Sequence, residues 1–181
     1  QDFRPQHAEI LESRGIDTSG LERQPGKTFR WAGVYGATDV NSRETLETDL
    51  NVFANFSPAL STQHRGFPYL FLANIDPELQ LSVLSQMEAR PSLVGVDTMN
   101  YWIKGKGESL KSVVEKADVL FVDEGEARDL AGESNLVTCA RRIMGLGPGT
   151  VVIKRGEHGV LMFHGDAILA LPAFPLEHIV D

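Results

Sequence analysis

The sequence is poor in cysteine and in positive charge, and it has no long apolar run. Cys139 is the single cysteine, which excludes an intrachain disulfide and any multi-cysteine metal site and suits a reducing cytoplasm. Within a helical pattern it reads as a small core residue. Lysine and arginine total 17 against 25 aspartates and glutamates, a net charge of −8 over 181 residues. That acidic balance argues against nucleic acid or an anionic membrane as partner. The apolar clusters at 69–73 and 119–122 are strand-sized and far short of the roughly 18 residues of a membrane span. The five histidines lie far apart and show no metal-ligand spacing. No Gly-x-Ser-x-Gly elbow supports a serine hydrolase.

Two glycine-rich segments also lack the context their chemistry needs. Residues 20–28 (GLERQPGKT) approach a Walker A loop. They have five residues, not four, before Gly-Lys-Thr, and a strand-like segment follows where a helix should begin. GLGPG at 145–149 precedes a strand, whereas a dinucleotide fingerprint follows one; it reads as a helix stop and turn.

What remains is 42% apolar and 23% charged, the composition of a folded globular chain. Residues 1–27 are polar, with a short helix that stops at Gly15. Phe29, Trp31 and Tyr35 then fall on alternate positions, and residues 45–53 alternate Leu46, Thr48, Leu50 and Val52 against Glu47, Asp49, Asn51 and Phe53. Such a period of two predicts a half-exposed antiparallel pair across 28–53.

From residue 69 onward strands alternate with helices. Strands are predicted at 69–75, 93–97, 119–123, 151–155, 160–164 and 167–171. Asp76 with Pro77 caps a helix whose apolar stripe is Leu79, Val83, Leu84 and Met87. Further helices are predicted over 108–117, from Glu124 to a stop at Gly132, and over 135–144. This order implies an α/β fold, a doubly wound, mostly parallel sheet with helices on both faces. The pair at 28–53 stands apart from 1–27 and 54–181.

Ligands of open α/β sheets bind outside the carboxyl ends of the strands. Those ends supply Asn74 and Asp76, then Asp97 and Asn100, then Asp123, Glu124 and Glu126, then Lys154, Arg155 and Gly156. Carboxylates at one strand end can hold Mg²⁺. A lysine beside exposed backbone N–H groups at another can hold phosphate. Each has a plainer role available: Asp76 as a helix cap, Glu124 and Glu126 as first-turn acids opposing the helix dipole, Gly156 and Gly159 as turn formers.

The run ADVLFVDEGEARDLAG followed by VVIKRGEHGVLMF resembles the ribokinase-like (PfkB) carbohydrate kinases. In that family a strand ends in Asn-x-x-Glu, which helps position Mg²⁺ and the ATP phosphates. Asp123 and Glu126 fill those positions here, with Asp123 in place of the usual Asn. The family's Thr-x-Gly-x-x-Gly turn near the nucleotide is matched by Lys154, Gly156 and Gly159, with Lys for Thr. FLANIDPELQ and VGVDTMNYWI resemble strand–helix segments of sugar kinases, so Asn74 and Asn100 are the expected acceptor-side residues. The pair at 28–53 looks like part of the family's small β lid, with Asn41 in its turn-rich middle as a third acceptor-side residue.

The resemblance implies ATP and Mg²⁺ as cofactors and a small-molecule sugar or nucleoside as partner, in a cytoplasmic enzyme able to dimerise through its lid. It implies transfer of the ATP γ-phosphoryl group to a carbohydrate hydroxyl. A nucleoside kinase of the same family and a non-catalytic nucleotide-binding or regulatory module are the alternatives.

The family's Asp-Thr-x-Gly-Ala-Gly-Asp segment, whose last Asp is the catalytic base, does not occur in these 181 residues. The base is expected beyond Asp181, so no catalytic residue is assigned in this chain. Its start at Gln1 and end at Asp181 lead us to expect the middle portion of a longer protein, incomplete at both ends. The purified 181-residue chain is accordingly expected to release no ADP in a coupled assay with ATP and sugars. Turnover above a protein-free control would contradict that expectation.

Overall fold

The structure is a computed structural model describing residues 2–35 and 43–177. The chain forms two compact units, Gln1–Ser61 and Thr62–Asp181.

In the first unit α1 (Pro5–Glu12) precedes a two-stranded sheet. Its strands β1 (Arg30–Tyr35) and β2 (Arg43–Asp49) run antiparallel, with a register shift between Ala32 and Gly33. The alternating pattern predicts a second strand through residue 53, but β2 stops at Asp49. Asn51 takes a left-handed conformation, φ 50°, which asparagine tolerates better than most residues. Its side-chain amide donates to the Thr28 carbonyl at 2.8 Å, and Asn51–Asn55 wind into a 3₁₀ turn. Phe53 stacks on Phe56 and meets the edge of Phe29, so the alternation continued past the strand because these rings pack on one another.

The second unit runs α2 (Thr62–Arg65), β3 (Tyr69–Leu72), α3 (Pro77–Gln86), β4 (Leu93–Asp97), α4 (Asn100–Gly105), α5 (Gly107–Val114), β5 (Val119–Asp123), α6 (Glu124–Ala131), α7 (Leu136–Met144), β6 (Thr150–Lys154), β7 (Val160–His164) and β8 (Ala167–Leu171). The six strands form one sheet in the order β3-β4-β5-β6-β7-β8. β3 to β6 are mutually parallel, β7 runs antiparallel to β6, and β8 runs antiparallel to β7. The four parallel strands therefore present their carboxyl ends, Leu72, Asp97, Asp123 and Lys154, along one edge.

The registers Leu72↔Val96, Val96↔Leu120, Leu120↔Val151, Val122↔Ile153 and Val151↔Phe163 align the buried side chains of the strands on one face. Leu110, Val113 and Val114 of α5, Ala127 of α6 and Cys139, Ala140 and Ile143 of α7 join that core. Residues of α3, α5, α6 and α7 all pack on this one cluster, so these helices cover one face of the sheet and not the two expected, because strands taken in sequence order return their crossover helices to the same side. On the other face Tyr69 is 72% and Phe71 60% exposed. This explains why 69–72, an unbroken apolar run, alternates exposed and buried positions.

Helix ends follow the capping residues. Asp76 accepts from the Glu78 N–H at 3.0 Å, Asn135 accepts from Thr138 at 3.1 Å, and α6 stops at Gly132 in the left-handed region, φ 63°, where glycine carries no Cβ penalty. The stripe on α3 differs from expectation: Leu81, Val83 and Leu84 pack on the core, and Gln80 is buried. Cys139 is buried, its Sγ donating to the Glu133 carbonyl, and burial pushes its thiol pKa up.

Removing a fully buried side chain leaves a cavity as well as losing transfer energy. Leu120→Ala is expected to destabilise the chain by about 2–5 kcal/mol, and Tyr69→Ala by no more than about 0.5 kcal/mol. Urea unfolding of the two variants measures the difference; equal losses would contradict the one-sided core.

Candidate active site

Parallel pairing of β5 with β6 sets Asp123 directly beside Lys154 in register. One strand further across, Asp97 ends β4 in register with Phe121. The three residues share one sheet face, because Asp123 lies two positions beyond Phe121. The Lys154 ammonium reaches over β5 and donates to Asp97 Oδ1 at 2.9 Å. Lys154 is 48% and Asp97 25% exposed at the side chain, so the pair sits at the open edge of the sheet.

Asp123 and Glu126 form a reciprocal cap on α6. The Glu126 N–H donates to Asp123 Oδ1 at 2.8 Å, and the Asp123 N–H donates to Glu126 Oε2 at 2.7 Å. Glu126 is only 4% exposed. Burial pushes its pKa up to about 7, and the neighbouring negative charges of Asp123 and Asp97 add to that; the Asp123 N–H and the Lys154 charge oppose it.

Behind the cap, Glu124 accepts from Arg155 at 2.6 Å and from Arg128 at 3.3 Å. This holds its carboxyl below the usual range, the Arg155 bond being the larger cause. Glu124 thus ties the end of β6 to the start of α6.

Gly156 and Gly159 take φ values of 53° and 86° in the turn after β6. A Cβ on Gly159 would collide with the Leu171 carbonyl, so only glycine fits there. Arg155 N–H donates to the Gly159 carbonyl at 2.8 Å, closing the turn.

The other strand ends are organised by side chains that the sequence pattern does not single out. Gln80, 1% exposed, donates through Nε2 to the Leu72, Ala73 and Asp97 carbonyls at 3.3, 2.9 and 3.1 Å. A buried amide thus holds β3 and β4 where their ladder stops, which ends β3 at Leu72 and not at the predicted residue 75. Its position among the apolar residues of α3 is the only sequence trace of that role. Asn74 accepts from the Trp102 indole at 3.0 Å, and Asn100 is exposed at the start of α4. Asp76 caps α3 and also takes the Lys106 ammonium at 2.7 Å, the plainer of its two readings. Asn41 and Asp181 lie outside the described residues.

The structure thus brings Asp97, Asp123, Glu126 and Lys154 together, with the glycine turn next in sequence. Among the described residues no three His, Cys, Asp or Glu side chains are grouped to enclose a metal ion. Asp123 and Glu126 each spend one oxygen on a backbone N–H. They are hard oxygen donors suited to Mg²⁺, an ion that usually keeps several of its waters and takes the rest of its shell from substrate phosphates. The site fits an ion held in that indirect way. A cavity of about 650 Å³ lined by Leu81, Leu84, Met87 and Arg90 lies by the amino ends of the strands, away from this edge. No described helix is long and apolar enough to cross a membrane.

Comparison with known proteins gives the same outline. The pfkB family carbohydrate kinase profile matches residues 1–181. A cytidine kinase of Thermococcus kodakarensis is 27% identical over 187 residues, covering 99% of this chain and 64% of its own length. Ribokinase from Thermotoga maritima superposes with a TM-score of 0.72 at 20% identity, over 99% of this chain and 59% of its own. A putative ribokinase II from E. coli in complex with ATP and Mg²⁺ gives 0.76 at 14% identity, over 96% and 59%. The chain therefore spans less than two thirds of the length of these relatives.

Glu126 binds its proton more tightly in the folded chain than its ordinary pKa of 4.5. The folded state thus holds more protons than the unfolded one between about pH 4.5 and 7, and its stability from this group falls as pH rises through that window. In Glu126→Gln the amide oxygen still accepts from Asp123, and the decline is expected to flatten. Urea midpoints measured across the window test this; the same slope in both proteins would contradict it.

Proposed function

This chain belongs to the pfkB family of carbohydrate kinases, and from that premise we propose that the protein containing it is a cytoplasmic ATP-dependent sugar kinase. The observation that carries this reading is the meeting of Lys154 with Asp97, Asp123 and Glu126 at the carboxyl edge, next to the Gly156–Gly159 turn. Phosphoryl transfer between ATP and a hydroxyl is largely positioning and charge stabilisation, and this edge offers a cation, ordered carboxylates and backbone N–H groups.

In this reading Lys154 donates to phosphate oxygens, and the Gly156–Gly159 turn lets the backbone approach them without a Cβ in the way. Asp123 and Glu126 orient the water shell of Mg²⁺, which when bound neutralises charge on the phosphates. Asn74, Asn100 and Asn41 are proposed for the acceptor side, with residues 28–53 as the lid. The acceptor hydroxyl needs a base; the family resemblance assigns it to the Gly-Ala-Gly-Asp segment, which these 181 residues do not contain.

A nucleoside acceptor is the second reading, favoured by the cytidine kinase relative. A nucleotide-binding regulatory module is the third, favoured by Asp123 where the family has Asn.

The test is ADP release by the full-length protein with ATP and Mg²⁺ against a panel of sugars and nucleosides. Turnover of a sugar supports the proposal, and turnover of cytidine or adenosine alone moves it to the second reading. ATP binding without turnover of any acceptor moves it to the third. Lys154→Met is expected to weaken ATP binding about tenfold, the loss of one charge-assisted contact.

A further inference from the structure

We propose that Asp97 is a positioning residue for Lys154, an inference that rests on the phosphate role just proposed for that lysine. The nearest carboxylate to Lys154 in register is Asp123, on the adjoining strand. The ammonium nevertheless reaches past it to Asp97, on the next strand over, at 2.9 Å. The geometry explains the choice. Asp123 Oδ1 is committed to the Glu126 N–H, and Glu126 is buried with one oxygen on the Asp123 N–H.

Asp97 is in turn held from inside the fold. Its carbonyl is one of three that the buried Gln80 amide grips, so the backbone bearing the carboxylate is fixed relative to both β3 and β4. A lysine side chain is a point charge on a flexible four-carbon stem, and in this site a fixed carboxylate two strands away draws that stem across the sheet. The ammonium carries three donors, so the bond to Asp97 leaves others for phosphate oxygens. Without Asp97 the nearest negative charges are Asp123 and Glu126, and the ammonium would fold back toward the start of α6. Asp97 therefore sets where along the carboxyl edge the phosphate-binding charge stands.

The experiment is a double-mutant cycle in the full-length protein, with ATP binding in the presence of Mg²⁺ measured by calorimetry. Asp97→Asn, nearly isosteric, is expected to weaken binding about fivefold, the effect of an exposed ion pair. Asp97→Glu should restore most of the loss, because it keeps the charge on the same strand. Asp97→Asn combined with Lys154→Met should bind no worse than Lys154→Met alone, because the aspartate acts only through the lysine. Melting temperatures of the variants separate this from a general loss of structure, which would weaken binding in the Lys154→Met background too. Additive losses, unchanged binding in Asp97→Asn, or no rescue by Asp97→Glu would overturn the inference while leaving the kinase reading intact. Absence of ATP binding by the unsubstituted protein would overturn the phosphate role of Lys154 and this inference with it.

Discussion

The parallel pairing of β5 with β6 is the constraint from which the rest of the site follows. Five register pairs join Val119–Asp123 to Thr150–Lys154, and Leu120, Val122, Val151 and Ile153 from these two strands are completely buried. A shift of β6 by one residue would turn Val151 and Ile153 out of the core and put Lys154 on the opposite face. The burial that fixes the register therefore also fixes Lys154 beside Asp123 and within reach of Asp97. Hydrophobic packing supplies the energy, and the placement of charge is its consequence.

The polar groups at that edge are ordered by structural bonds, each of which uses up part of a side chain's capacity. Asp123 and Glu126 cap one another, Glu124 is held by two arginines, and Asp76 is held by Lys106. Beside these bonds stand a half-exposed lysine and a turn shaped by Gly156 and Gly159. The structural and ligand-binding readings of Glu126 are thus compatible: the cap that starts α6 is also what orients its carboxylate. Burial, with the negative charges of Asp123 and Asp97 added, raises the Glu126 pKa to about 7 against the opposing Asp123 N–H and Lys154 charge.

Much of this was legible in the chain. Alternation and helical stripes located nearly all of the elements, because burial imposes its periodicity locally on sequence. Asp76 and Gly132 could be read because capping satisfies backbone groups within three residues. Gly159 could be suspected as a turn former, although the Leu171 carbonyl that demands glycine comes from a strand twelve residues later. The misplaced boundaries have similar physical causes. β2 ends early because Asn51 reaches back to Thr28, and β3 ends early because Gln80 takes the Leu72 and Ala73 carbonyls. Both partners are distant in sequence or sit in an apolar stripe where a glutamine carries no visible signal.

By itself, then, the sequence determined the α/β class, the strand-end residues from which a site could be built, and the exclusion of a disulfide or multi-cysteine metal site within these 181 residues, since each depends on local pattern or on composition. Only the tertiary structure decided that Lys154 pairs with Asp97, that Gln80 holds the strand ends, and that one face of the sheet carries the core. Those relations join residues up to 57 positions apart, and no local periodicity records which strand lies beside which.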